Sequence, residues 1–142
     1  MRNHCLLPVL SITLIAQPSS AQSKVDLQII PESPQFSGCG LGLKYSTAKA
    51  DDPRLVFWCD FGSEAIVHIS GKQHRLKAVS DSETRKGSSK VFTEEWSDNE
   101  IKVKIVYRIT KNYGESSDLK GTITVISGSQ VKDYKVVGFK GC

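Results

Sequence analysis

Four cysteines and three histidines are the side chains of this sequence best suited to nucleophilic or metal chemistry. A Cys–His nucleophile needs an accessible thiolate beside an imidazole, with a third group to orient the ring. Cys59 falls in phase with Phe57 and Phe61 on the apolar side of an alternating segment, the setting of a buried and inert thiol. His68 and His74 fall on opposite faces of a predicted hairpin, so one ion cannot easily take both. No Cys-x-x-Cys or His-x-x-x-His spacing occurs. Asp60-Phe61-Gly62 copies a metal-binding tripeptide whose chemistry needs further motifs, and reads as a turn. Gly38, Gly40 and Gly42 have the spacing of a phosphate loop, yet no helix follows to supply its N–H groups. No catalytic residue, metal site or cofactor is therefore expected, and the chain reads as non-enzymatic.

The remaining chemistry is ionic. Lys102, Lys104 and Arg108 share the outward phase of one segment, and Lys120 lies in the outward phase of the next. Such a row suits an anionic surface such as lipopolysaccharide or an acidic glycan; the plainer reading is a solvated face kept charged to discourage aggregation. A single-strand nucleic-acid platform interleaves aromatic rings with its cations. This row has none, so no nucleic acid is expected; the sequence names no partner, and an anionic envelope component or a protein are the two classes it suits.

The elements that must carry these side chains are extended. In Ile101 to Thr110 the residues Ile101, Val103, Ile105, Tyr107 and Ile109 point one way, with Lys102, Lys104 and Arg108 opposite. Period-two alternation of this kind means a strand with one face on a core and one in water. Leu119 to Ile126 and Val131 to Phe139 follow as further strands, the first across a loop from Asn112 to Asp118 and the second across a turn at Ser127-Gly128-Ser129, and form an antiparallel meander. Glu64 to Ser70 and Gln73 to Val79 flank Gly71-Lys72, which predicts a type II′ hairpin pairing Val67 with Leu76 and Ile69 with His74, with His68 beside Arg75. Leu55 to Phe61, Val25 to Ile29, Leu41 to Tyr45 and Val91 to Trp96 outline the rest, with polar loops at Thr47 to Pro53 and Lys86 to Ser89. The expected fold is all-β, an antiparallel sandwich or flattened barrel of about eight strands with meander connections.

Residues 1–21 read as an export signal: Arg2 gives a positive start, Leu6 to Ala16 are apolar, and small residues end at Ala21. The apolar run is too short to span a bilayer. Residues 22–142 then form one domain, secreted or periplasmic, with charged residues at 24% and a net charge of +4 for the whole chain excluding a disordered or strongly polyionic class. Cys5 leaves with the signal, and an oxidising compartment pairs two of Cys39, Cys59 and Cys142. Cys39 and Cys142, both beside glycine at the ends of the domain, are the favoured pair; Cys39–Cys59 is the alternative.

An export signal, Gly38-Cys39-Gly40 and a β-rich body ending in Gly141-Cys142 resemble a loose group of small secreted bacterial proteins of uncharacterised role. Phe57-Trp58-Cys59, Gly71-Lys72 through Leu76 and the late Cys142 are similar to features of the periplasmic inhibitors of C-type lysozyme, which are exported β-barrels. That family's inhibitory loop carries Ser-Gly-x-x-Tyr after the cysteine strand, whereas this chain has Gly42-Leu43-Lys44-Tyr45 before it. The resemblance implies an inhibitor of a lytic enzyme, with Lys44 and Tyr45 in the contacting loop.

Overall fold

Every alternating segment of the chain becomes a strand. The structure, a computed structural model, describes residues 25–31, 39–61 and 64–142. The expected signal 1–21, Cys5, Gly38 and Gly62 lie outside the described residues. The strands are β1 (Leu27–Gln28), β2 (Gly40–Tyr45), β3 (Phe57–Asp60), β4 (Glu64–Ile69), β5 (Lys72–Lys86), β6 (Ser89–Ser97), β7 (Lys102–Asn112), β8 (Ser116–Ser127) and β9 (Gln130–Gly141). Consecutive strands from β2 to β9 pair antiparallel, and β2 pairs with β9 to close the sheet. The result is an eight-stranded up-and-down barrel with one extra strand, the flattened-barrel form of the expected fold. Closure leaves no strand of the eight free along its whole length, although the outer half of β5, from Ala78 to Lys86, pairs with β6 alone and keeps one open edge.

An eight-stranded barrel is just wide enough for side chains to fill it. Here Leu43, Phe57, Val67, Leu76, Ile105 and Ile123 are among the residues that do so. Tyr107 is the largest fully buried side chain, and it faces Gly121 across β7–β8, where a Cβ would sit 2.8 Å from the Tyr107 backbone and Cβ. Strand β1 continues the edge of β4 beyond β3 and lies across one end of the barrel. Tyr45 donates to the Leu27 carbonyl, Leu27 N–H donates to the Tyr134 hydroxyl at 3.0 Å, and that hydroxyl donates to the Val25 carbonyl at 3.2 Å. Outside the barrel Ile30, Leu55 and Ile66 form a second apolar cluster against Trp58.

Four expectations need correction, one of them the loop from Asn112 to Asp118, which shrinks to residues 113–115 because Ser116, Ser117 and Asp118 already pair with β9. The β4–β5 hairpin turns at Ser70-Gly71, with φ of 50° and 85°, so it is a type I′ turn rather than II′. Val67 therefore faces His74 and Ile69 faces Lys72, a slip of two residues that keeps every side chain on its expected face. Asp26 and Gln28 select this turn: the Asp26 carbonyl accepts from Ser70 N–H at 2.8 Å, and Gln28 Oε1 accepts from Gly71 N–H at 2.7 Å. Third, β5 runs past Val79 to Lys86, leaving only Gly87 and Ser88 in the expected polar loop. A bulge between Ala78 and Ser80 starts this extension, and its residues are exposed on both faces, so no apolar alternation announces it. Fourth, Phe61 is 51% exposed, because β3 ends at Asp60 and the alternation stops with it.

Candidate functional site

The outer wall of β7 and β8 carries the expected cationic row. Burial of Val103, Ile105 and Tyr107 turns Lys102, Lys104 and Arg108 outward, and Lys120 lies directly opposite Arg108. Like charges in directly opposed positions destabilise a sheet. Among the described residues no ion pair engages Lys102, Lys104, Arg108 or Lys120. Glu95 lies opposite Lys104 on β6, while Lys135 on β9 donates to Thr122 at 3.2 Å. Lys102 faces Ser97 on one side and Ile126 on the other. Arg108 and Lys120 thus form the densest point of positive charge on the wall.

Beside that pair a groove of about 590 Å³ opens between the loop of residues 46–56 and the wall. Lys120, Val137 and Phe139 line it from the wall, with Lys44, Asp51 and Leu55 opposite. The Phe139 ring, 46% exposed, lies across Gly42, where a Cβ would come within 2.7 Å of it. Asp118, on the same groove, accepts from the Tyr113 hydroxyl at 2.9 Å.

Lys44 and Tyr45 are not in a loop. They end strand β2, and both are committed to the fold. The Lys44 ammonium donates to the carbonyls of Lys49 at 3.0 Å, Ala50 at 2.7 Å and Asp52 at 3.3 Å, tying down the loop beyond it. Arg54, hydrogen-bonded to Asp52, holds that carboxyl well below the usual range. Burial pushes the Tyr45 hydroxyl up to about 12, with the neighbouring Tyr134 adding to the effect. Only the resemblance to the inhibitor family sets these residues in a loop; the alternation Leu41, Leu43, Tyr45 outlines the strand that the structure shows.

Cysteine and histidine chemistry is spent on structure. Cys39 and Cys142 form a disulfide one residue beyond the Gly40–Gly141 pair that closes the barrel. Bonds of this kind persist in oxidising compartments. Cys59 is free and buried, and burial pushes its thiol up to about 12, far from a thiolate at neutral pH. His74 is buried with Nδ1 2.7 Å from Asp98, while His68 meets Gln28 at 3.1 Å rather than Arg75. Among the described residues no group of three or more His, Cys, Asp or Glu is placed to hold a metal ion, and no helix is long and apolar enough to cross a membrane.

Sequence reasoning missed Phe139, and with it a network at the other end of the barrel from β1. There Lys140 donates to the Tyr107 hydroxyl at 2.9 Å, and that hydroxyl donates to Glu94 at 2.9 Å. The signal was present: Lys140 stands in the inward phase of β9 behind Tyr134 and Val136, and a lysine in an inward position needs a partner. No protein-family model matches the chain, and neither a curated protein nor a solved structure does.

Proposed function

We propose that this chain is an exported, non-catalytic binding module that takes an anionic component of the cell envelope or of a host through its cationic outer wall. The observation that carries this reading is the opposed pair Arg108 and Lys120, set without an ion-pair partner among the described residues beside an open groove that contains Phe139. A bound phosphate or carboxylate between the two cations relieves their repulsion, and the exposed ring offers apolar contact to whatever carries it. The filled barrel interior supports placing the ligand outside, and the buried state of Cys59 supports a role without covalent chemistry. The disulfide and the signal-like segment 1–21 support export.

Cosedimentation with lipopolysaccharide at low and physiological salt tests this. The wild type is expected to bind, and to lose affinity as salt screens the wall. The double variant R108S/K120S is expected to bind at least about tenfold more weakly at equal salt. Equal binding by the two proteins rules the reading out. The closed barrel also supports a second reading, inhibition of a C-type lysozyme, since the similar family consists of exported β-barrels. An unchanged lysis rate at equimolar protein removes it.

A further inference from the structure

We propose that the end of the barrel containing Lys140 is a separate binding site, and that it takes a small organic ammonium ion. The Lys140 ammonium sits among three aromatic rings, 5.7 Å from the centroid of Phe61, 5.4 Å from Phe92 and 5.6 Å from Tyr107. Phe92 and Tyr107 are stacked at 5.2 Å and form one wall of the enclosure. Behind it Glu94 stands 4.0 Å from the ammonium, fixed by the Tyr107 hydroxyl at 2.9 Å and by the Trp96 indole N–H at 3.3 Å. Several ring faces around a cation, closed off by a carboxylate, form the arrangement that recognises ammonium ligands. Here the protein's own lysine occupies it.

The enclosure opens to solvent on the side of Phe61 and Lys140; Phe92 and Tyr107 are not on the lining of the opening, so a ligand meets them only when Lys140 moves. A cavity of about 320 Å³ reaches Glu94 and Lys140, and its lining includes Asp60 and Asp81. The lining holds the carboxylates of Glu94, Asp60 and Asp81 with the ammonium of Lys140, and this excess of acidic side chains favours a further positive charge over a negative one. Phe61 and Val79, 51% and 55% exposed, stand on its lining as apolar contacts for a methylated head group. Lys140 remains 35% exposed on a flexible four-carbon stem, so it can leave the rings when another cation arrives. The site lies on the interior face of β6, β7 and β9 and shares no residue with the cationic wall.

Choline is the probe. K140M removes the internal cation while keeping the stem, and leaves Glu94 and the rings for an external one. Choline is expected to bind K140M at least about tenfold more tightly than wild type, followed by Trp96 indole fluorescence and by a rise in melting temperature. K140M/E94Q is expected to lose that gain. A folded K140M that binds choline no better than wild type overturns the proposal. If K140M does not fold, the wild-type chain decides: contacts by NMR between choline methyl protons and the Phe92 and Tyr107 rings support the site, and their absence at saturating choline overturns it.

Discussion

Single residues in this barrel are set by what burial permits. Cys59 is enclosed by the interior, and its thiol, raised to about 12, carries almost no thiolate at neutral pH. An alkylating reagent is therefore expected to leave native Cys59 unmodified and to label it completely in denaturant, as read by intact mass. Asp98 shows the opposite balance. Burial pushes its carboxyl up, but hydrogen bonds from His74 and from the Ile101 and Glu100 amides, at 2.7, 2.8 and 2.8 Å, outweigh that and hold it below its ordinary value. A carboxyl lowered in the folded state stabilises the protein fully above its unfolded value of 3.8, and that stabilisation is lost as pH falls through the lowered value. Asp98→Ala is expected to cost about 2 kcal/mol near neutral pH in denaturant unfolding, and less than that in strong acid. A variant whose loss is the same at both pH values contradicts this assignment.

At the scale of elements, legibility followed wetness. Strands β7 and β8 were readable because one face is dry and the other wet, which writes the alternation into the residues. The outer half of β5 was not, because Asp81 to Lys86 are exposed on both faces and any polar residue suits them. Apolar matching points to the wrong hairpin register, Val67 against Leu76, whereas the structure sets Val67 against His74 and Ile69 against Lys72; what decides is Gln28, from a strand distant in sequence. Lys140 escaped notice because its partners, Tyr107 and Glu94, lie on other strands. The cationic row, by contrast, needed only period two, and its four members stand where the alternation puts them. Since the tip of the β5–β6 hairpin lacks buried contacts, amides of Ser82 to Lys90 are expected to exchange with solvent far faster than those of Val103, Ile105 and Ile123. Equal protection in the two groups, measured by hydrogen exchange, would place the hairpin in a packed setting.

For the whole molecule, the decisive event is the meeting of β2 with β9, strands from opposite ends of the described barrel. Bringing them together costs the loop-closure entropy of most of the chain, and the Cys39–Cys142 bond, spanning 103 residues, removes that cost from the unfolded state. In the chain-entropy account such a bond contributes about 4–5 kcal/mol, so C39S/C142S is expected to unfold at markedly lower denaturant while Cys59 stays buried. Closure also bears on the proposed function: a filled interior leaves the outer wall for the anionic component we propose. The most direct test is backbone-amide NMR during titration with a phosphorylated lipopolysaccharide core oligosaccharide. Shifts concentrated at Arg108, Thr110, Lys120, Thr122 and Val137 are the predicted result; shifts confined elsewhere, or none at saturation, contradict the account.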